Sequence, residues 1–116
     1  MKDFEVKDRE WGYTIELPTN EEKYYSEGIN AINPGAIVPF HFHEDDVENY
    51  KMLTEGLEVI VLSKEKAGAS REQILEILKK EGKRKVGETV TCPKGSGHVL
   101  YNSSNKVGLF YFEKSH

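Results

Sequence analysis

The residues of this 116-residue chain whose types and spacing could do chemistry are His41, His43, Glu48 and His98. His41 and His43 stand two apart in GAIVPFHFHEDDVE, residues 35–48, a stretch that reads as a strand. Side chains on a strand alternate faces, so both imidazoles point toward one spot. Neutral imidazoles with carboxylates a few residues on suit a divalent transition metal. An H-x-H pair alone carries little weight, because His also serves as an ordinary half-buried strand residue. A second stretch, GETVTCPKGSGHVLYN, residues 87–102, reads as a strand, a Pro and Gly turn, and a further strand opened by His98 that carries Asn102 on the same face.

At these positions the chain resembles the cupin superfamily. The first cupin motif, G-x5-H-x-H-x(3 or 4)-E-x6-G, is met by Gly35, His41, His43 and Glu48. The second, G-x5-P-x-G-x2-H-x3-N, is met by Gly87, Pro93, Gly95, His98 and Asn102. Together they span residues 35–102. The resemblance implies an all-β double-stranded β-helix, a jelly-roll barrel. It also implies one divalent metal ion per chain, held inside by His41, His43, His98 and Glu48, with Asn102 packing or hydrogen bonding behind them. Ligand type does not choose among Fe, Mn, Ni and Zn.

The chain departs from the pattern once. Seven residues separate Glu48 from Gly56, so the strict count back from that glycine lands on Asn49. Strand alternation groups Glu48, Tyr50 and Met52 on one face and Asn49, Lys51 and Leu53 on the other. An unpaired Lys in a barrel interior is costly, whereas Tyr and Met sit there readily. Glu48 is therefore expected inward, with the extra residue taken up by a bulge before Gly56. Asn49, Glu44 or no side chain at all are the alternatives for the fourth ligand.

The elements that must position these residues follow from periodicity. Residues 11–17, WGYTIEL, alternate with Trp11, Tyr13, Ile15 and Leu17 on the face expected to be buried, and Gly12, Thr14 and Glu16 on the other. Pro18 and Asn20 mark a turn, and residues 24–32 read as a strand in which Tyr24 and Tyr25 are expected to pack in the framework. With His41 and His43 inward, Ala36, Val38, Phe40 and Phe42 point outward and require a cover. Together with the apolar run LEVIVL, residues 57–62, this predicts a homodimer, unless a helix of the same chain supplies the cover. One helix is available, opened by a capping box at Ser70 and Gln73, striped by Ile74, Leu75, Ile77 and Leu78, and stopped by Gly82. The run KKEGKRK, residues 79–85, reads as its solvated end. Residues 107–112, VGLFYF, read as a closing strand, and the tail EKSH, including His116, as frayed.

Composition narrows the function. The length predicts a single domain, residues 1–116. Sixteen Lys and Arg against 20 Asp and Glu leave a net charge of -4 with no basic block, which argues against nucleic acid as partner. No apolar run is long enough to span a membrane, and the charged start MKDFEVKDRE does not resemble a signal peptide, so a cytoplasmic protein is expected. A single Cys, Cys92, precludes an internal disulfide and is expected to be a small buried strand residue rather than a ligand or nucleophile. None of Arg9, Arg71 and Arg84 falls on a strand face expected inward, which favours a neutral or small polar ligand.

A metal with open positions polarises a carbonyl or activates dioxygen. The resemblance therefore implies a metal-dependent enzyme acting on a small polar metabolite, of the dioxygenase or the sugar isomerase or epimerase type. Tyr50, on the inner face with Glu48, is a possible acid or hydrogen-bond donor there. A non-catalytic small-molecule binding or sensing module is the alternative reading, and a structural dimer with relic histidines a third.

Overall fold

The computed structural model describes residues 4–17, 26–63 and 70–115, with the side chain of His41 outside the described set. Tyr24, Tyr25, the turn at Pro18 and Asn20, and His116 also lie outside the described residues. Among the described residues, nine strands and one helix follow one another: β1 Glu5–Arg9, β2 Gly12–Leu17, β3 Ser26–Ile32, β4 Ile37–His43, β5 Val47–Met52, β6 Leu57–Ser63, α1 Arg71–Glu81, β7 Thr89–Cys92, β8 Ser96–Asn102 and β9 Gly108–Ser115. They form a six-stranded sheet of order β1-β2-β3-β9-β5-β7 and a three-stranded sheet of order β4-β8-β6, every pairing antiparallel. The two sheets face each other as a jelly-roll barrel. Its interior is filled from both sides by residues such as Ile32, Tyr50, Met52, Val59, Leu100 and Phe110.

The outer face of the small sheet is covered from within the chain. Leu78, fully buried, packs with Ile60, Leu62 and Val99, and Ile74, Ile77, Ile37 and Phe40 flank this second cluster. The helix begins as expected: Ser70 Oγ accepts from Gln73 N at 3.2 Å, and Gln73 Oε1 accepts from Ser70 N at 2.9 Å. It ends at Gly82, where an added Cβ would stand 2.7 Å from Leu78 O. The run after it is only partly solvated. Val59 N donates to Gly82 O, and Arg84 donates from Nε and Nη2 to Val59 O at 3.2 and 2.7 Å, lacing the helix end to β6.

Three strand-level expectations are corrected. In β4, Val38 stands opposite Leu100 but His41 opposite His98, so three steps on β4 match two on β8. A bulge therefore lies at Pro39 and Phe40, where proline has no N–H to give the ladder. It changes the phase, so Ala36 and Val38 pack with the barrel core and Phe40 with the helix cluster, instead of all sharing the outer face. Trp11 packs against the core as expected, but from Gly12 onward in β2 the expected faces are exchanged. Thr14 is 3% exposed and faces inward, whereas Tyr13 is 38% exposed. Alternation marks two faces without saying which one meets the interior, and here the interior is a polar cavity. In β5 the pairings with β7 and β9 are unbroken, so no bulge precedes Gly56. The extra residue is absorbed in the turn, where Gly56 takes a φ of 85° and an added Cβ would lie 2.6 Å from Ser104 Cβ.

Asn102, fully buried, ties the sheets together. Its Nδ2 donates to Ile32 O at 2.9 Å and Lys106 O at 2.7 Å, and its Oδ1 accepts from Ser104 N and Ser104 Oγ at 3.0 and 2.7 Å. Asn102→Ala would strand the buried Ile32 carbonyl and release the Ser104 turn, so unfolding in urea should show a loss of roughly 2–4 kcal/mol. A loss below about 1 kcal/mol would show that the 103–106 turn holds itself.

Candidate metal centre

The barrel places His43 on β4, Glu48 on β5 and His98 on β8, so both sheets contribute to one cluster. His43 Nε2 lies 2.9 Å from Glu48 Oε1 and 3.0 Å from His98 Nε2, and His98 Nε2 lies 3.3 Å from Glu48 Oε1. Ligands about 2.0–2.1 Å from a metal and at right angles stand roughly 2.9–3.0 Å apart, and those of a tetrahedral ion about 3.3–3.4 Å. The observed triangle spans that range. A carboxylate oxygen only accepts, so without an ion an imidazole N–H has to point at Glu48, whereas the tautomers protonated on Nδ1 turn three lone pairs toward one point, where a cation binds. The donor set therefore fits a divalent metal.

Electrostatics favour a charged carboxylate here. Burial alone would raise the pKa of Glu48, but hydrogen bonds with His43 and His98, together with the positive charge of His98 and Lys114, outweigh it and hold the carboxyl well below its ordinary range. Asp46 Oδ2 lies 3.8 Å from His43 Nδ1, the ring nitrogen turned away from Glu48. Packing orients the His98 ring: the His43 ring stacks on it with centroids 5.1 Å apart, and Tyr50 meets it edge-on at 5.0 Å.

Of the sequence-derived ligands, three come together, and the backbone of the fourth, His41, is directly opposite His98 in the β4–β8 ladder. His41 is two residues from His43 on the same strand; its side chain lies outside the described residues. Among the alternatives for the acidic position, Asn49 accepts from Thr91 Oγ1 at 2.7 Å on the other face of β5, and Glu44 is exposed. Cys92 is fully buried in the barrel core, with Sγ 3.4 Å from Ser96 Oγ; burial, and then the charge of Glu48, push its thiol pKa up. That makes it a packing residue rather than a nucleophile.

The cluster opens on a cavity of about 300 Å³ lined also by Arg9, Trp11, Thr14, Glu16, Asn30 and Lys114. Periodicity missed most of these. Strand β1, EVKDR, has no apolar alternation and left no signal for Arg9. Lys114 was legible in principle, because Phe110, Phe112 and Lys114 share a face, but the tail expected to fray continues β9 to Ser115 and sets Lys114 opposite Glu48.

No protein-family model and no curated protein matches this chain. Solved structures do, and they show that it has the cupin fold. A Thermotoga maritima protein described as a predicted oxalate decarboxylase is similar over 97% of this chain and 91% of its own, at 18% identity and a TM-score of 0.66. Drosophila melanogaster CENP-C, bound to CAL1, is similar over 97% of this chain and 81% of its own, at 13% identity and a TM-score of 0.68. The capsular polysaccharide assembling protein CapF of Staphylococcus aureus is similar over all of this chain and only 30% of its own, at 11% identity and a TM-score of 0.73.

Because Glu48 titrates below its ordinary value in the folded chain, its contribution to stability is present above about pH 4.5, the unshifted value, and is lost as pH falls below it. Chelator-treated wild type should therefore lose stability steeply on acidification, and Glu48→Gln should flatten that limb in denaturant titrations run across pH. Parallel profiles for the two proteins would show that the carboxylate is not ionised in the metal-free cluster.

Proposed function

We propose that the protein is a metal-binding cupin that holds one divalent transition ion per chain on His43, Glu48, His98 and His41, and acts on a small polar metabolite in the barrel. The observation that carries this reading is the triangle of donor atoms, 2.9–3.3 Å on a side, at the cavity wall. When bound, such an ion polarises a carbonyl or activates dioxygen, the chemistry of isomerase or epimerase and of dioxygenase types. The chain's own residues supply the rest. Glu48 lowers the net charge of the ion, and the imidazoles fix its position. Val38, Leu100, Phe110 and Phe112 limit water around it. Tyr50, 1% exposed, has a hydroxyl with no hydrogen-bond partner among the described residues, beside Glu48 and in the cavity lining. Burial, and then the Glu48 charge, raise its pKa, so it stays a phenol and donates to an oxygen of a bound ligand. The alternative reading, a non-catalytic binding or sensing module, uses the same cavity and differs only in whether the ligand is consumed.

Elemental analysis of untagged protein prepared without chelator tests this directly. Near one Fe, Mn, Ni or Zn per chain is expected in wild type and in Tyr50→Phe, and near zero in His98→Ala, with turnover on a panel of sugars, keto acids and phenols reduced at least tenfold in Tyr50→Phe. Absence of metal even after reconstitution would sink the reading; metal and ligand binding without turnover would select the binding module.

We also infer a homodimer, but through a different surface from the one the sequence suggested, because α1 covers the outer face of the small sheet. Phe4, Val6 and Tyr13, exposed at 59%, 54% and 38%, gather on the β1–β2 edge of the large sheet and support a second copy there. Light scattering should give twice 13.3 kDa, and Val6→Lys the monomer mass; a monomeric wild type at high concentration would refute the inference.

A further inference from the structure

The cavity is lined by two cations that form no ion pair among the described residues. Of its two acidic lining residues, Glu16 is paired with Lys7 at 3.1 Å and Glu48 belongs to the His43–His98 cluster. Arg9 and Lys114 line the same cavity, and among the described residues no carboxylate stands within ion-pair distance of either. A divalent ion on Glu48 would add a further net positive charge, in a chain whose overall charge is -4. A positive cavity in an acidic protein concentrates anions locally while the rest of the surface repels them.

The polar groups around these cations are arranged to present them. Arg9 stands at the exposed rim and donates from Nε to Thr14 Oγ1 at 3.2 Å. Thr14 is 3% exposed and passes its own hydroxyl hydrogen to Asn30 Oδ1. That relay anchors the guanidinium by one edge and leaves its two terminal nitrogens for a planar, two-oxygen acceptor, the geometry in which arginine holds a carboxylate. Lys114 lies deeper, with Nζ 5.7 Å from the Phe112 ring centre and its backbone opposite Glu48. A cavity of about 300 Å³ is at the small end of ligand sites and suits a metabolite of a few carbons.

We propose that the cavity takes a small organic acid, one end coordinating the metal at His43, Glu48 and His98 and a free carboxylate at the other held by Arg9 and Lys114. This rests on the metal-site reading above and narrows its substrate class. It narrows the neutral or small polar ligand expected from the sequence, which gave no signal that Arg9 or Lys114 lines the cavity.

The test is calorimetric titration of the zinc-loaded protein with succinate against succinamate and 2-oxoglutarate against 2-oxoglutaramate. It uses wild type, Arg9→Gln, Lys114→Gln and the double variant, with zinc content and melting temperature measured on every sample. Wild type should bind each diacid at least tenfold more tightly than its monoamide. Each single substitution should cut that preference at least threefold and the double variant should bring it near unity, with monoamide affinity and zinc content unchanged. No preference in wild type, a preference that survives the double substitution, or no binding by any of the four compounds would overturn the proposal. Should zinc fail to bind wild type, the metal reading has failed, and the same titrations on the metal-free protein decide the anion site separately. A diacid preference lost in the double variant upholds it, and its absence overturns it.

Discussion

Burying the Glu48 carboxylate is the constraint around which the barrel is arranged. At 4% exposure it is stable only where positive or hydrogen-bond-donating groups surround it, and those groups lie on other strands. Glu48 belongs to the large sheet and both imidazoles to the small one, so the sheets must meet at this register for the charge to be matched. Local sequence supplies each residue, but pairing them takes the folded barrel. The cluster thus links folding to function: the same convergence that satisfies the carboxylate creates a set of donor atoms spaced for a metal.

Around that cluster the chain spends its polar groups in two ways. Asn102 and Arg84 are structural, each donating to a backbone carbonyl of a neighbouring strand, Ile32 O and Val59 O. Thr14, Asn30, Arg9 and Lys114 instead face the cavity, and only the first two are tied mainly to one another. The distinction bears on function because a hydrogen-bonded clamp holds shape, whereas an unmatched cation facing a cavity is available to a ligand.

Proteins that share the fold at 11–18% identity include one described as a predicted oxalate decarboxylase, one found bound to a protein partner, and one that assembles capsular polysaccharide. The barrel is therefore a frame on which different sites are built, and the argument for function here has to come from the side chains inside it.

Much of the frame was legible in the chain itself. The two spaced motifs indicated a cupin barrel, Ser70, Gln73 and the stripe from Ile74 to Leu78 marked the helix, and the alternation Glu48, Tyr50, Met52 set the inner face of β5, because these signals are local and repeat with the period of the element. What the tertiary structure alone decided was phase and enclosure. The bulge at Pro39 turned Ala36 and Val38 inward, the polar face of β2 became the interior face, and the charged edge strand β1 brought Arg9 to the cavity. None of these has a periodic signature, since which face of a strand is inside depends on what the opposite sheet presents to it, and a cavity lined for a ligand rewards polar residues where a packed core would reject them.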